Sequence, residues 1–379
     1  MTAAVSVRKP AVRVPDLRDI TVSELAEWLR DFGEPSYRAR QIFRWLWKHQ
    51  AETFRAMTDL PATCRQVLEA QACISTVTVT AVQSSRDGTR KFLLTLPDGE
   101  RIEAVLIPDG RRLTACISTQ AGCAMGCGFC LTATMGLRRN LRPAEIAGQL
   151  VALGHTLTSR ERMTHIVLMG MGEPLANCPA TEKALRILTA REGLGFSPRR
   201  ITVSTVGVVP GIRRLARSGL EVNLAVSLTA TTDALRDRLI PINRRYPLGE
   251  LLQACRDFPL PPRRRMTFEY VLMADINDHV EDAHRLVTLL KGIRCKVNLI
   301  PLNEAVEIPF RRPAQERTDA FRRILERAGY IATVRESRGQ DIAAACGMLA
   351  TADGPLDSPR AAPYNAQCGV EQFGSSLGS

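Results

Sequence analysis

Three cysteines lie close together in one loop of the sequence, at Cys123, Cys127 and Cys130. Their spacing is C-x3-C-x2-C, and the residues between them are mostly small, so the backbone could wrap closely around a compact inorganic group. Thiolates are soft ligands that suit iron–sulfur clusters. Because no fourth cysteine follows in the next turn, the loop predicts one [4Fe-4S] cluster per chain, with one iron open to a substrate.

A zinc site is the alternative interpretation of this loop. Zinc sites usually combine paired cysteines, or cysteines with histidines, at short spacings. The five histidines of the chain are scattered along the sequence. The pattern therefore favours the cluster over zinc.

The chain has 11 cysteines, but it does not resemble a secreted disulfide protein. The cysteine count is odd, and residues 1–16 are basic without an apolar signal segment. No apolar run approaches the roughly 20 residues that span a membrane. We therefore expect a cytoplasmic protein without membrane contact, whose reduced thiols can do metal and redox chemistry. Five cysteines are expected to be packing residues: Cys64, Cys73, Cys178, Cys255 and Cys295.

The 379 residues carry a formal net charge of +12 and a sequence pI of about 9.5. Such an excess of basic residues favours polyanionic partners, above all nucleic acids, because neutralised phosphates release counterions. A basic enzyme without such a partner is the alternative.

The main body of the chain alternates strand and helix patterns. Predicted strands lie at 113–118, 164–170, 200–204, 221–228, 267–273 and 295–300, with an extra one at 330–335, and predicted helices separate them at 143–157, 179–191, 209–218, 248–257, 279–291 and 314–328. This alternation is typical of a parallel sheet covered by helices. Six units are too few for a closed eight-fold barrel, so an α/β fold with an open partial (βα)6 barrel over 109–350 is expected. A doubly wound sheet is the alternative.

The N-terminal part should form a smaller accessory domain of helices and a β-hairpin. Residues 17–72 show helical periodicity, and Thr21 with Glu24 forms a capping-box pattern. Its tryptophans stand beside arginines and lysines, which suits either RNA binding or core packing. Residues 73–108 alternate as strands and contain two Asp-Gly turns, so they are expected to form a β-hairpin and strand linker that packs on the barrel. Residues 1–16 and 351–379, the latter with Cys368, are expected to be a flexible arm and tail.

Several polar residues stand where the predicted parallel strands end. The cysteine loop follows the first strand, a glycine-rich segment at 170–174 follows the second, and Ser204, Ser227 and Asn303 stand at or after later strand ends. Active sites of parallel α/β folds form at this edge. Glu103 is a carboxylate inside the apolar stretch 102–106; taken alone, its position favours an exposed rim.

These features resemble the radical S-adenosylmethionine (SAM) enzymes, in which such a cysteine loop belongs to a βα barrel. Four stretches are similar to motifs of the RlmN/Cfr family, whose members methylate an adenine of large-subunit ribosomal RNA: 116–123 (CISTQAGC), 169–175 (MGMGEPL), 203–207 (VSTVG) and 341–347 (DIAAACG). The resemblance extends over about residues 18–350, and its motifs occur in the same order as in the family.

The resemblance implies cofactors and residue roles. Cys123, Cys127 and Cys130 would hold the cluster, and two SAM molecules would be consumed per methylation. Cys346 would become S-methylcysteine and later form a thioether with the RNA. Cys116 would release the product through a transient disulfide with Cys346, and Glu103 would accept a proton. Matches to SAM-contacting positions are Gly172, Glu173, Ser204, Ser227, Leu228, Thr229 and Asn303.

One position departs from the family pattern. Thr229 stands where the family usually has histidine. A contact that needs an imidazole is therefore in doubt at this position, whereas a backbone contact to SAM would survive the change.

The resemblance also implies partners and competing functions. The expected substrate is 23S ribosomal RNA methylated at adenine C2, with transfer RNA as a candidate second substrate, and flavodoxin is a candidate electron donor. Nothing in the sequence requires a dimer, so we expect a monomer. The alternatives are methylation at C8 of the same adenine, which the motifs do not separate, and a non-catalytic RNA-binding iron–sulfur protein.

Overall fold

The computed structural model describes residues 14–350, so most of the expected arm and the whole expected tail with Cys368 lie outside the described residues. The strands are β1 (Thr78–Ser84), β2 (Arg90–Thr95), β3 (Arg101–Asp109), β4 (Arg112–Cys116), β5 (Gln120–Gly122), β6 (Leu137–Asn140), β7 (His165–Leu168), β8 (Ile201–Thr205), β9 (Asn223–Ser227), β10 (Met266–Leu272), β11 (Cys295–Pro301) and β12 (Ile331–Val334). The α-helices are α1 (Val22–Arg30), α2 (Tyr37–Trp47), α3 (Ala62–Gln71), α4 (Leu131–Thr134), α5 (Pro143–Gly154), α6 (Cys178–Thr189), α7 (Val209–Arg217), α8 (Asp233–Leu239), α9 (Leu248–Arg256), α10 (Val280–Leu289) and α11 (Gln315–Arg327).

Ten strands form one continuous sheet, in the order β1-β2-β3-β4-β7-β8-β9-β10-β11-β12. From β4 onward all neighbours are parallel, and they follow one another in chain order. A doubly wound sheet would reverse its strand order at a switch point. The sequential order therefore confirms the predicted partial barrel and rules out the doubly wound alternative. The extra strand predicted at 330–335 is β12, at the open edge.

The parallel strands are apolar because they are covered on both faces. In β10 six of the seven residues are buried, as expected for a strand between a barrel interior and a helical layer. Neighbouring helices contact each other in the pairs α5 with α6, α7 with α9 and α10 with α11. Their bounds agree with the predicted helices within a few residues. The short helix α8 was not predicted, because its sequence DALRDRL lacks a clear apolar period.

The antiparallel strands β1, β2 and β3 extend the barrel sheet rather than forming a separate layer. β3 pairs with β4 so that Val105 faces Cys116, and β2 pairs with β3 so that Lys91 faces Val105. Paired residues of an antiparallel ladder project to the same face. Residues of the hairpin therefore share a face with Cys116 at the start of the barrel.

The helical unit at the N-terminus packs its apolar side chains into the same hydrophobic core as the barrel. Thr21 and Glu24 form the predicted capping box at the start of α1. The Trp47 side chain is fully buried, and the Arg18 guanidinium lies 5.7 Å from its ring centroid. Arg18 also donates to the carbonyl oxygens of Ala51 (3.2 Å) and Ser75 (2.9 Å). Trp47 is thus a packing residue of the core and is not exposed for contact with RNA.

Most of the cysteines expected to be packing residues do lie in the interior. Cys64, Cys255 and Cys295 are buried, and Cys178 is partly buried. Cys73 is exposed, so the prediction for it was wrong. It directly follows Ala72, the residue that caps the C-terminus of α3, so it lies outside the helix. Within residues 14–350, no helix is long and apolar enough to cross a membrane.

Asp19 joins the helical unit to the barrel. Its Oδ1 accepts a hydrogen bond from the backbone N–H of Ala144 in the first turn of α5 (2.9 Å). Its other oxygen pairs with Arg142, which also reaches Asp16 (3.1 Å). A carboxylate at this position satisfies a free helix N–H and interacts favourably with the helix dipole.

We predict that Asp19→Ala lowers the free energy of unfolding by about 1–2 kcal/mol, because α5 loses a cap and Arg142 loses a partner. Denaturant unfolding of the purified chain measures this change. Asp31→Ala is the matched control, since Asp31 is an exposed residue at the C-terminus of α1. Equal stability of the two variants would contradict a connecting role for Asp19.

Candidate active site

One cavity lies at the carboxyl ends of the parallel strands. It has a volume of about 950 Å³, part of it open to solvent, and residues from strand ends and from two loops line it. The lining includes most of the predicted site residues: Cys123, Cys127, Cys130, Gly172, Glu173, Ser204, Ser227, Asn303 and Cys346. The convergence expected from the strand alternation is therefore present in the fold.

The loop with the three cysteines is closed at its base by a small antiparallel ladder. β5 precedes the cysteines, β6 follows them, and the two strands pair from Gln120 with Asn140 to Gly122 with Leu137. At Gly122 the backbone has φ +76°, and a Cβ atom would lie 1.9 Å from the carbonyl oxygen of Gly136. Only glycine fits there, so the two ends of the loop meet at a contact that no side chain can enter.

The three thiols are a donor set that fits an iron–sulfur cluster. They line one cavity that no histidine of residues 14–350 lines, and thiolates are the usual ligands of such a cluster. Burial raises the pKa of Cys123 to about 12 and raises the pKa values of Cys127 and Cys130. Binding of a cluster would thus be coupled to release of protons.

Glu173 is held in place by the backbone around it. Its Oε1 accepts from Leu175 N–H (2.9 Å), and its Oε2 accepts from Val206 N–H (2.8 Å). Burial raises the pKa of Glu173 to about 7, although these hydrogen bonds oppose the shift. Gly172 has φ +95°, and a Cβ there would lie 2.5 Å from Gln120 Cβ. Glycine is needed for β7 to approach the cysteine loop so closely.

Not every predicted SAM-contacting residue reaches the cavity. Ser204, Ser227 and Asn303 line it, whereas Leu228 and Thr229 are fully buried and do not. Thr229 has φ +58°, which is rare for a β-branched residue. Its carbonyl oxygen accepts a hydrogen bond from Asn277 Nδ2 (2.7 Å), so its backbone is held by the protein itself.

The segment that carries Cys346 is bound to the cysteine loop. Leu131 N–H donates to Gly347 O (2.7 Å), and Thr132 Oγ1 donates to Leu349 O (2.6 Å). From the other side, Asn303 Nδ2 donates to Cys346 O (3.2 Å). These contacts place the Cys346 thiol in the lining of the cavity, more than two hundred residues after the loop in sequence.

Cys116 lies on the other side of Cys346. Both thiols line a second, smaller cavity, together with Arg335. Burial raises the pKa of both thiols, to about 12 for Cys116, and the Arg335 guanidinium opposes the shift on both. Cys346 therefore forms part of the wall of both cavities and lies within electrostatic range of Cys116 and Cys130.

Glu103 is a buried member of an ion pair, so the expectation of an exposed rim position was wrong. Its Oε1 lies 3.2 Å from Lys91 Nζ, and its Oε2 accepts from Ala350 N–H (2.9 Å). Burial raises the pKa of Glu103, and Lys91 opposes the shift. Glu103 thus contacts the segment that carries Cys346, on the sheet face it shares with Lys91 and Cys116.

Three further charged residues border the site without having been predicted. Glu269 lines the cavity from β10; like Glu103, it is a carboxylate inside an apolar strand, which is the signal that could have identified it. Arg335 lines the second cavity with Cys116 and Cys346 and interacts with both thiols. Arg236 is fully buried and donates to the carbonyl oxygens of Val206 (2.6 Å), Ser227 (3.2 Å) and Leu228 (3.1 Å). Burial lowers the pKa of Arg236 to about 10, so it remains charged and ties the ends of β8 and β9 together.

Comparison with known proteins gives matches over most of the chain. The Ribosomal RNA large subunit methyltransferase N-terminal domain matches residues 15–74, and the Radical SAM superfamily matches residues 117–287. The dual-specificity RNA methyltransferase RlmN of Geobacter sulfurreducens is 52% identical, over 90% of this chain and 93% of its own. RlmN of Syntrophus aciditrophicus is 50% identical, over 88% of this chain and 96% of its own.

A solved structure also matches most of the chain. The crystal structure of a radical SAM methyltransferase from Sphaerobacter thermophilus superimposes with a TM-score of 0.82 at 48% sequence identity. The match covers 88% of this chain and 99% of that one.

We predict that Gly122→Ala strongly lowers the iron and sulfide content of anaerobically reconstituted protein, although all three thiols remain. The added Cβ would displace Gly136 and open the base of the loop. Gly128→Ala is the matched control in the same loop, because its Cβ would meet Phe310 at an ordinary 3.5 Å. Full cluster content in Gly122→Ala would show that the ladder does not shape the site.

Proposed function

Because this chain belongs to the RlmN family of radical SAM methyltransferases, we propose that it methylates adenine C2 in 23S ribosomal RNA, with transfer RNA as a second substrate. One observation carries the proposal: Cys346 lines the cavity of the cysteine loop and also lies beside Cys116 and Arg335. Neither a structural cluster nor RNA binding requires a thiol in that position. A methyl carrier and a resolving partner do.

We propose that Cys123, Cys127 and Cys130 hold the [4Fe-4S] cluster and that the remaining cavity takes SAM. When bound, these cofactors supply a methyl group for transfer and a carbon radical that removes a hydrogen atom. The residues between the strand ends supply the pocket. Leu168, Val271 and Leu302 give it apolar walls, which exclude water from reactive species.

The assigned nucleophile is Cys346. A thiolate is suited to displace methyl from a sulfonium, because the S–CH₃ bond to Cys346 forms while the bond to the sulfonium breaks. Burial works against ionisation of this thiol, and Arg335 favours it by raising the stability of the thiolate. The cation beside Cys346 thus supports the role of nucleophile.

Glu103 and Cys116 serve the later steps in this proposal. Glu103 accepts the C2 proton of the adenine that has become bonded to the carbon on Cys346. The unpaired electron that the radical addition leaves on this adduct would be returned to the cluster that Cys123, Cys127 and Cys130 would hold, which gives a closed-shell thioether. The Cys116 thiolate then attacks the Cys346 sulfur: an S–S bond forms and the bond from sulfur to the new methyl carbon breaks. The electron pair of that bond stays on carbon and takes up a proton, which completes the methyl group. A reductant such as flavodoxin supplies electrons, and reduction of the disulfide returns both thiols.

We predict that RNA from cells lacking their own adenine C2 methyltransferase gains 2-methyladenosine when they express this protein. Mass spectrometry of nucleosides from separated ribosomal and transfer RNA measures the product and tests both substrates. Cys346→Ala should yield none, and Cys116→Ala should instead accumulate a covalent RNA–protein adduct. Cys73→Ala, at an exposed thiol away from the cavity, is the matched control and should act as the wild type.

The outcomes separate the candidate functions. If only 8-methyladenosine appears, the regiochemistry is C8 instead of C2. If neither product appears while the cluster is intact, the enzymatic proposal fails.

We further predict that the acid limb of the pH–rate profile depends on Lys91. Glu103 must be ionised to accept a proton, and burial has raised its pKa, so the rate falls as the pH drops through that raised pKa. Lys91→Met removes the cation that pairs with Glu103 and therefore raises the pKa of Glu103 further. The acid limb of the pH–rate profile should move to higher pH. Single-turnover methylation rates at acidic and neutral pH measure the limb.

Lys183→Met is the control, because Lys183 pairs with Glu24 (2.7 Å) in the helical unit, away from the site. An acid limb that does not move in Lys91→Met would argue against Glu103 as the group that titrates.

A further inference from the structure

One carboxylate oxygen of Glu269 accepts no hydrogen bond from residues 14–350. The side chain is only 5% exposed and lines the cavity from β10. Its Oε2 accepts from Ser204 Oγ (3.0 Å), while its buried Oε1 has no hydrogen-bond partner among the described residues. A buried carboxylate oxygen without a donor is costly. A ligand that brings a donor to Oε1 would remove that cost.

The neighbouring hydroxyls make this wall of the cavity rich in acceptors. Ser204 has one O–H, and it donates it to Glu269, so towards a ligand Ser204 can only accept. Ser227 stands directly opposite Glu269 in the register of β9 and β10, and its hydroxyl group is close enough to lower the pKa of the Glu269 carboxyl. A carboxylate of a ligand would be repelled by Glu269 at this wall, whereas a hydroxyl group would find acceptors.

Two buried carboxylates line the cavity, each near different thiols. Glu173 lies within electrostatic range of Cys123 and Cys127, and Glu269 lies within range of Cys116 and Cys346. If SAM fills the cavity, its methionine group belongs at the open iron, beside Glu173. Its nucleoside then extends towards Glu269 and Cys346.

We propose that Glu269 binds the ribose of SAM, with Oε1 accepting a hydrogen bond from a ribose hydroxyl. Ser204 holds the other oxygen and orients the carboxylate, so it is a positioning residue for the ribose rather than a ligand of the SAM carboxylate. This inference rests on the proposed use of SAM and adds a residue to the cofactor site.

The test is a binding cycle on the holoenzyme with a ligand that cannot react. Anaerobic calorimetry measures the Kd of S-adenosylhomocysteine and of its 2′-deoxy and 3′-deoxy derivatives. The wild type should bind one derivative about tenfold or more weakly, the usual effect of losing a hydrogen bond to a charged acceptor. Glu269→Gln should weaken the parent ligand by a similar factor and leave the Kd of that derivative unchanged.

Two further variants make the result specific. Glu269→Asp keeps the charge but moves the carboxylate away from the ribose. Like Glu269→Gln, it should weaken binding of the parent ligand and leave the Kd of the same deoxy derivative unchanged. Thr267→Val is the matched control, because Thr267 lies two residues earlier on β10 and does not line the cavity. Its Kd values should equal those of the wild type, and iron content reports whether each variant keeps its cluster.

Other outcomes overturn the proposal. If Glu269→Gln and Glu269→Asp weaken all three ligands by one common factor, Glu269 acts on the fold and not on the ribose. If neither variant weakens any ligand, Oε1 makes no contact with the cofactor. If the wild-type holoenzyme binds none of the three ligands, the proposed use of SAM fails as well, which separates that failure from a failure at Glu269.

Discussion

The hydrogen bonds between the Cys346 segment and the cysteine loop determine the geometry of the whole site. Leu131 N–H and Thr132 Oγ1 hold the carbonyl oxygens of Gly347 and Leu349, so a thiol from the end of the described chain lies beside cysteines from the first barrel loop. The same segment receives Asn303 from one side and gives Ala350 N–H to Glu103 on the other. Every group assigned to the reaction therefore touches one short segment or the cavity it lines. A displacement of this segment would separate Cys346 from the cysteine loop and from Glu103 together.

Burial of charge is the second constraint. A buried ion is tolerated only where a partner or several hydrogen bonds compensate its lost hydration. Arg236 meets this condition with three backbone carbonyl oxygens at the ends of β8 and β9 and with Asn243. Glu103 meets it with Lys91 and a backbone N–H. Glu269 meets it only in part, since one oxygen has no donor within residues 14–350. Glu269 lies in the lining of the cavity, where a ligand can supply the missing hydrogen-bond donor.

The sequence predicted this site where simple geometry decides it. Parallel strands bring their carboxyl ends to one edge, so the alternation of strands and helices sufficed to group Cys127, Ser204 and Asn303. Prediction failed where a side chain's direction depends on pairing that the sequence does not reveal. The burial of Glu103 follows from the register of β2 on β3, which places Lys91 on the same face. Thr229 follows Ser227 by only two residues, yet its left-handed backbone turns it away from the cavity.

Strand pairing also makes the hairpin part of the proposed active site. Lys91 comes from β2 and Glu103 from β3, strands that a division by sequence assigns to an accessory element. Their side chains share a sheet face with Cys116 of β4, and Lys91 also approaches the carbonyl oxygen of Ala343 (3.5 Å). Because β3 pairs directly with β4, the hairpin cannot move as a rigid body without disturbing the first barrel strand. The accessory strands and the barrel therefore form one unit, and the proposed roles of Glu103 and Cys116 depend on both.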